Sequence, residues 1–194
     1  HVLLEKRDYL NVTIYKKSQS YSKSKKEALI LRRMENQKRP SWDEYFMIIC
    51  KAVRTRATCD RGRNGVVIVK DKRILSTGYV GSPAGLPHCD EIGHIIKEIK
   101  HEDGRISKHC LRTTHAELNA ITLAAKEGIS LNNATIYTLL EPCVTCAKAI
   151  LNCGIKRVVC AKKYHEGGES QDLFLKANIP VEFLSQEMEE YDQM

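Results

Sequence analysis

Residues 115–161 read HAELNAITLAAKEGISLNNATIYTLLEPCVTCAKAILNCGIKRVVCA, and their pattern decides the fold. A helical pattern from about His115 to Glu127 is followed by a β-prone run from Thr135 to Leu140. A second helical pattern begins near Cys143 and ends by Gly154, and Arg157 to Ala161 is again β-prone. Strands joined through helices need crossover connections, which place helices over the faces of a sheet. The stretch therefore predicts an α/β fold.

Both helical patterns in this stretch begin with residue types that bind metals. His115-Ala116-Glu117 opens the first, and Pro142-Cys143-Val144-Thr145-Cys146 opens the second. One imidazole and two thiolates leave one position of a tetrahedral zinc ion free for water, as a catalytic zinc requires. The combination of H-x-E with P-C-x-x-C is the signature of zinc deaminases that act on nucleobases. The sequence therefore predicts a catalytic Zn²⁺ held by His115, Cys143 and Cys146.

Glu117 is predicted to be the catalytic proton carrier and not a metal ligand. It should take a proton from the attacking water and deliver it to the ring nitrogen and then to the departing amine. Such positioned transfer is worth about 10²–10⁴ in rate. A C-x-x-C pair alone would also suit a redox pair or a structural zinc. A zinc-stabilised binding module without catalysis is disfavoured because Glu117 would have no purpose there.

The segment before this stretch predicts a helix, a hairpin and a long loop. Ser41 is expected to cap a helix from about Trp42 to Arg56, with Glu44 in capping-box spacing. The apolar stripe of that helix is predicted to comprise Tyr45, Ile48, Ile49, Ala52 and Val53. Two strands should follow, Gly65 to Lys70 and Arg73 to Tyr79, joined by a turn. The polar region from Gly81 to Thr114 is predicted to be a functional loop.

Charge and composition suggest three segments. Residues 1–39 carry 11 Lys/Arg and 4 Asp/Glu, whereas the remainder carries 20 of each. We expect a basic N-terminal extension or linker (1–39), a deaminase domain (40–185) and a C-terminal tail (186–194) that is a short helix or frayed. The extension could bind nucleic acid, but the favoured interpretation is a solvated helix or linker. The zero net charge of residues 40–194 makes nucleic acid a disfavoured partner.

The cysteines and the hydropathy of the chain indicate the cellular compartment in which the protein is expected to work. No run approaches 18 uncharged apolar residues, so we expect no membrane span and no membrane partner. The eight cysteines could suggest a disulfide scaffold, but two are needed as zinc thiolates and no export signal is apparent. A reducing cytoplasm therefore fits the chain better.

The chain resembles deoxycytidylate (dCMP) deaminases over roughly residues 39–184. The similarity is carried by five runs: RPSWDEYFM (39–47), TGYVGSPAGLPHC (77–89), HAELNAI (115–121), CAKAI (146–150) and GIKRVV (154–159). The resemblance implies a cytidine-deaminase-like fold, a three-layer α/β/α sandwich with a five-stranded mixed sheet. It also implies conversion of dCMP to dUMP and ammonia by a homo-oligomer, a hexamer or a dimer. Activation by dCTP and inhibition by dTTP, with Mg²⁺ on the effector nucleotide, are further expectations.

One departure from the family concerns Val80, where dCMP deaminases usually have asparagine in a Gly-Tyr-Asn-Gly loop. Valine cannot form the hydrogen bonds of an amide, so substrate positioning or effector control should differ here. The substrate or effector candidates are Val80, Ser82, Asn119, Tyr164 and Arg112. For phosphate recognition the basic or hydroxyl candidates are Arg61, Arg63, Arg112, Lys148, Lys163 and Tyr164.

The resemblance also implies a second, structural zinc, which some family members bind. Cys59 and Cys89 match the first two ligand positions, and His94, His109 and Cys110 are candidates for the rest. The alternative is that these cysteines are free thiols and the histidines are solvated.

Two alternative hypotheses assume the same zinc-dependent deamination but a different substrate. The chain could deaminate dCTP as one module of a larger nucleotide-depleting protein. It could also act on cytosine or adenine in single-stranded nucleic acid, for which the basic extension is the support in the sequence.

Overall fold

The computed structural model describes residues 39–100, 104, 106–164 and 167–189. The predicted basic extension, apart from residue 39, lies outside the described residues, as do residues 190–194 of the tail. The three-segment division therefore stays a prediction.

The described chain contains five α-helices and eight strands. The helices are α1 (Trp42–Arg54), α2 (Cys89–Ile92), α3 (Ala116–Lys126), α4 (Val144–Asn152) and α5 (Gly168–Lys176). The strands are β1 (Gly65–Lys70), β2 (Arg73–Tyr79), β3 (Ile96–Lys100), β4 (Ile106–Cys110), β5 (Thr135–Leu140), β6 (Arg157–Tyr164), β7 (Val181–Phe183) and β8 (Met188–Glu189). A single 3₁₀ turn, Asp60–Gly62, precedes β1.

The main sheet has the strand order β2-β1-β5-β6-β7. Strand β1 is antiparallel to both β2 and β5, whereas β5, β6 and β7 run parallel. The short strand β8 pairs with the far end of β6, off this path. The predicted mixed sheet of five strands is thus confirmed, with β8 as an addition.

Helices cover both faces of this sheet and form two separate apolar clusters. On one face, Phe46 and Cys50 of α1 pack against Val67, Tyr137 and Val159. On the other face, α3, α4 and α5 pack on the opposite side chains of the same strands. That second cluster includes Ala116, Ala120, Ala147, Ile150 and Phe174 from the helices, with Val66, Ile68, Ile136 and Val158 from the strands. The α/β/α sandwich predicted from the resemblance is therefore confirmed.

Helix α1 begins as predicted but buries a different face. Ser41 caps it: its Oγ accepts a hydrogen bond from the Glu44 N–H (3.2 Å), and Glu44 Oε2 accepts one from the Ser41 N–H (2.7 Å). The fully buried residues are Phe46, Met47 and Cys50. The predicted stripe was wrong for Tyr45, Ile48 and Ala52, which are exposed, while Ile49 and Val53 are half-buried at its edge. Apolar residues occur on both faces of α1, and the face that turns inward is the one that packs Phe46 against Tyr137, with the ring centroids 5.1 Å apart.

Helix α3 lies unusually close to β2 because of Gly78. A Cβ atom at this position would lie 2.1 Å from the carbonyl oxygen of Ala116 and 2.5 Å from the nitrogen of Ala120. Such distances are shorter than any van der Waals contact. The missing side chain therefore fixes the depth at which α3 sits on the sheet.

A cluster of charges ties α1 to β6 and β7. The Arg157 guanidinium donates to both carboxylate oxygens of Asp43 (2.8 Å each) and to both of Glu182 (2.8 and 2.6 Å). The Tyr137 hydroxyl donates to Asp43 Oδ1 at 2.7 Å. These bonds to Arg157 lower the pKa of Asp43 and of Glu182.

Two predictions for less regular segments were wrong. The region from Gly81 to Thr114 is not one loop, because it contains α2 and the hairpin of β3 and β4. Residues 188–189 form a short strand that pairs with β6, so the helix predicted as one alternative for the tail was wrong there, and the alternative of a frayed tail stays a prediction. No helix in the described part of the chain is long and apolar enough to cross a membrane.

Candidate active site

The metal-binding motifs meet where two helices begin. His115 is the N-cap residue of α3, and Cys143 is the N-cap residue of α4. Cys146 lies in the first turn of α4 and is fully buried. The positive end of a helix dipole favours thiolates at such positions. The sequence therefore brings one imidazole and two thiols together as predicted.

The spacing of these three side chains suits a zinc ion. His115 Nδ1 lies 3.5 Å from Cys143 Sγ and 3.5 Å from Cys146 Sγ. Zinc bonds of about 2.3 Å to sulfur and about 2.0 Å to nitrogen at tetrahedral angles would separate these atoms by about 3.5 Å. The residues present therefore fit a zinc ion with one remaining position. His115 is exposed, so the cluster opens to solvent on that side.

Glu117 lies beside the cluster, held away from solvent. It is 3% exposed, and its Oε2 is 3.7 Å from Cys146 Sγ. Its Oε1 accepts a hydrogen bond from Asn64 Nδ2 at 3.0 Å and lies 3.2 Å from Thr138 Oγ1. Asn64 and Thr138 were not identified from the sequence, because neither belongs to a motif.

Proton affinities in this cluster differ sharply between neighbours. The Cys146 thiol hydrogen bond lowers the pKa of Cys143 to about 3, and the same pair interaction raises the pKa of Cys146. Hydrogen bonding to Cys143 raises the pKa of His115 to about 9. Burial raises the pKa of Glu117. Because bound ligands must lose their protons, a metal ion at these residues would displace protons from His115 and Cys146.

A second cluster joins three cysteines and a histidine. Cys59, Cys89, His94 and Cys110 place their ligand atoms within 4.8 Å of one another. Cys59 Sγ lies 3.7 Å from His94 Nδ1, and Cys89 Sγ lies 3.6 Å from Cys110 Sγ. His94 Nε2 is held by Asp60 Oδ1 at 2.9 Å, which leaves Nδ1 free to bind a metal. His109, the fifth candidate, lies outside this cluster and pairs with Ser107 Oγ at 2.8 Å.

The pKa values in this second cluster also diverge. Burial raises the pKa of Cys59 and raises that of Cys89 to about 12. Burial opposes ionisation of Cys110 as well, but hydrogen bonds from the Ile95 backbone and from His94 lower its pKa to about 6. Three sulfurs and one nitrogen are the donor set of a closed structural zinc site.

The loop that carries Val80 is fixed by its neighbours. Val80 is 7% exposed and belongs to the larger apolar cluster. Its N–H donates to the Asn64 carbonyl (3.3 Å) and its carbonyl accepts from the Thr58 N–H (3.1 Å). Asn119 donates to the Tyr79 carbonyl at 2.7 Å. The Ser82 hydroxyl is buried without a hydrogen-bond partner among the described residues.

Tyr164 and Arg112 both take part in hydrogen bonds between a side chain and the backbone. Tyr164 donates its backbone N–H to Glu141 Oε2 at 3.2 Å, and Arg112 Nε donates to the Gly93 carbonyl at 2.9 Å. The backbone of Gly167 lies directly against the Glu141 carboxylate, because a Cβ atom at position 167 would lie 2.2 Å from Glu141 Oε2. The backbone next to Tyr164 is thus fitted around a buried carboxylate.

The other phosphate candidates are scattered. Arg61 donates to the Lys108 carbonyl at 3.4 Å, Lys148 is exposed on α4, and Lys163 lies 5.5 Å from the Phe183 ring centre. Arg63 instead lines a cavity of about 160 Å³ together with Lys51, Arg54 and Lys162. These candidates therefore do not form one phosphate site among the described residues.

An α/β/α sandwich with a His–Cys–Cys cluster and a buried glutamate at two helix starts defines a class, the zinc-dependent deaminases. Comparison with known proteins agrees. Residues 40–162 match the family described as the cytidine and deoxycytidylate deaminase zinc-binding region. The chain therefore belongs to the cytidine and deoxycytidylate deaminase family, and it is a zinc-dependent nucleotide deaminase.

Individual relatives support the same assignment. ComE operon protein 2 of Bacillus subtilis is 40% identical over 144 residues, which cover 74% of this chain and 71% of that protein. The deoxycytidylate deaminase of Mycobacterium phage D29 is 39% identical over 127 residues, or 64% of this chain and 98% of the phage protein. The crystal structure of dCMP deaminase from the cyanophage S-TIM5 in complex with dCMP and dUMP has a TM-score of 0.60 and 25% identity. The structural match covers 76% of this chain and the whole of the cyanophage chain.

Proposed function

We propose that this protein hydrolyses dCMP to dUMP and ammonia. The observation that carries the proposal is the 3.5 Å spacing of His115 Nδ1 from both Cys143 and Cys146, with buried Glu117 beside them. The choice of dCMP is supported by the phage relatives, one named deoxycytidylate deaminase and the other solved with dCMP and dUMP.

The roles follow from the chemistry of each side chain. His115, Cys143 and Cys146 would hold the Zn²⁺, which when bound activates a water for attack on C4 of cytosine. Glu117 would accept a proton from that water and deliver it to the ring nitrogen and then to the departing amine. Its burial beside the cluster keeps competing bulk water away from the carboxylate.

We assign the substrate contacts beyond the ring to three of the candidate residues. The buried Ser82 hydroxyl, which has no hydrogen-bond partner in the part of the chain that the structure describes, suits a sugar or phosphate oxygen, because a buried hydroxyl without a bond is costly. Tyr164 and Arg112 remain candidates for the phosphate. Val80 and Asn119 would shape the loop and not contact the nucleotide, since one is in the apolar core and the other is bonded to backbone.

A structural zinc at Cys59, Cys89, His94 and Cys110 is a second part of the proposal. It is supported by the mutual distances within 4.8 Å and by Asp60, which orients the imidazole. His109 is left out because it lies outside that cluster.

Assembly and control rest on the family resemblance. A homo-oligomer, a hexamer or a dimer, is favoured by apolar side chains exposed on α1, where Trp42 is 51% and Ile48 57% exposed. Response to dCTP and dTTP, with Mg²⁺ on the effector, and a place in the cytoplasm complete the proposal.

The test is ammonia release from dC, dCMP, dCTP, CMP and single-stranded DNA by the zinc-loaded protein. We expect the highest kcat/KM with dCMP. A preference for dCTP would favour a nucleotide-depleting role, and a preference for single-stranded DNA would favour a nucleic-acid deaminase. Either result would overturn the proposed substrate.

A further inference from the structure

Asn64 is a buried amide whose orientation is fixed by two backbone donors. It is 5% exposed and directly precedes β1. The N–H groups of Gly65 and Leu139 lie 2.8 and 3.2 Å from its Oδ1. Only the oxygen of an amide can accept such bonds, so Nδ2 must point the other way. In that direction it meets Glu117 Oε1 and Thr138 Oγ1, each at 3.0 Å.

Thr138 cannot replace Asn64 as the donor to the glutamate. A hydroxyl has one proton, and the nearest acceptor for Thr138 Oγ1 is the Leu140 carbonyl at 2.8 Å. Glu117 Oε1 is farther away, at 3.2 Å. The Thr138 hydroxyl therefore accepts from Asn64 and donates to Leu140, and Asn64 is the donor that binds Glu117 Oε1.

The two oxygens of Glu117 thus have different surroundings. Oε1 is bound by the Asn64 amide on the side of β1 and β5. Oε2 faces the metal-binding cluster, 3.7 Å from Cys146 Sγ. A carboxylate fixed through one oxygen presents the other in a single direction.

We propose that Asn64 is a positioning residue for Glu117: it holds Oε1 and directs Oε2 at the reacting water and base. The inference rests on the proposed function, because a positioned carboxylate matters only if Glu117 moves protons. Asn64 also braces β1 against β5 through Oδ1, so its two roles must be separated.

Asn64→Asp separates them, because one Asp oxygen keeps the bonds from Gly65 and Leu139 while the donor to Glu117 is lost. Two carboxylates would then face each other, and Glu117 would turn away. We expect kcat to fall at least about 100-fold, the lower range of positioned proton transfer, with KM within about threefold of the parent. The matched control is Asn132→Asp at an exposed asparagine, which should leave both constants unchanged.

These kinetics use whichever nucleotide of the ammonia-release panel the parent prefers. A kcat for Asn64→Asp within threefold of the parent, or a loss confined to KM, would overturn the inference while leaving the proposed function intact. Melting temperature and zinc content of the variant show whether fold or metal is lost. Should Asn64→Asp not fold, the side-chain amide pair of Asn64 is assigned in the parent from its contacts with the Gly65 and Leu139 N–H groups, and the spectra described next decide the inference.

A second readout does not depend on turnover. In ¹H–¹⁵N spectra the side-chain amide pair of Asn64 is the one missing from Asn64→Asp. We expect it to shift in Glu117→Ala and to stay in place in Asn132→Asp. An unmoved pair in Glu117→Ala would contradict the contact, even for a parent that releases no ammonia from any of the nucleotides.

Discussion

At the scale of single residues, Val80 shows how packing can exclude a polar role. Its side chain is 7% exposed within an apolar cluster, and both its backbone groups are bonded to Asn64 and Thr58. An asparagine here would bury its amide in the position that the valine methyl groups now fill. We therefore expect the departure from the family to reflect packing.

Val80→Asn should destabilise the protein by about 1–3 kcal/mol, the cost of burying an amide without a partner. Its kcat with dCMP should stay within about threefold of the parent, and its response to dCTP with Mg²⁺ should not change. Chemical denaturation and steady-state kinetics check both parts. New activation by dCTP without loss of stability would show that the residue belongs to an effector site.

Residues of the site were predictable where the chain places them close together. His115 and Glu117 share one motif, and Cys143 and Cys146 share another, so their chemistry is visible from spacing alone. Asn64 reaches Glu117 across 53 positions, and an asparagine before a strand has no signature. Similarly, only the fold decides that His94 and not His109 joins Cys110.

At the scale of secondary structure, the contact between β2 and α3 positions half of the active site. Gly78 lies against the first turn of α3, which carries His115 at its start and Glu117 within it. A side chain at Gly78 would push this turn away from the strand. Metal ligands on α3 and α4 would then separate.

Gly78→Ala should therefore lower both stability and activity. Overpacking of a filled interior costs about 1–3 kcal/mol, and the shift of α3 should reduce kcat/KM more than tenfold. Gly168→Ala is the matched control, because a Cβ at that position meets nothing within 4 Å. Denaturation curves and kinetics of both variants provide the test; equal behaviour of the two would mean that α3 is not held by this contact.

The sequence predicted which segments form most of the helices and strands, but it did not predict as well which face of each is buried. The cap at Ser41 was predictable from its capping-box spacing with Glu44. The turn between β1 and β2 was predictable because Asp71 and Lys72 separate two β-prone runs; both residues have positive φ in the structure. The buried face of α1 was not predictable, because Tyr45 and Ile48 are as apolar as the residues that pack inward. The hairpin of β3 and β4 was missed because β3 is exposed along its whole length, so no alternation of apolar and polar residues marks it.

At the scale of the whole molecule, two clusters that contain cysteines lie in separate parts of the fold. One lies at the starts of α3 and α4, and the other joins the segment before β1, α2 and the end of β4. Three of the four residues of the second cluster, Cys89, His94 and Cys110, lie in the region from Gly81 to Thr114, where β3 contributes no buried side chain. A metal ion would supply the cohesion that apolar packing does not.

Cys89→Ser should lower the zinc content from about two to about one per chain. It should also reduce the melting temperature, because a structural zinc contributes directly to folding. Residual kcat should be affected less than stability. Cys153→Ser, at a half-buried cysteine outside both clusters, should change neither. A parent that binds a single zinc ion would contradict the second site.

The sheet itself was predictable because its strands are separated by helices of ordinary length and crossover connections have few arrangements. The basic charge of residues 1–39 stays a sequence observation, and its role is a prediction.

The most direct test of the central claim is the kcat of zinc-loaded Glu117→Gln with dCMP, measured together with its zinc content. The amide keeps the size of Glu117 but cannot carry a proton, so turnover should fall by about 10²–10⁴ while zinc stays at the parent level. Glu127→Gln, at an exposed glutamate at the opposite end of the same helix, is the control and should match the parent. Activity of Glu117→Gln within about tenfold of the parent, with zinc retained, would contradict the account.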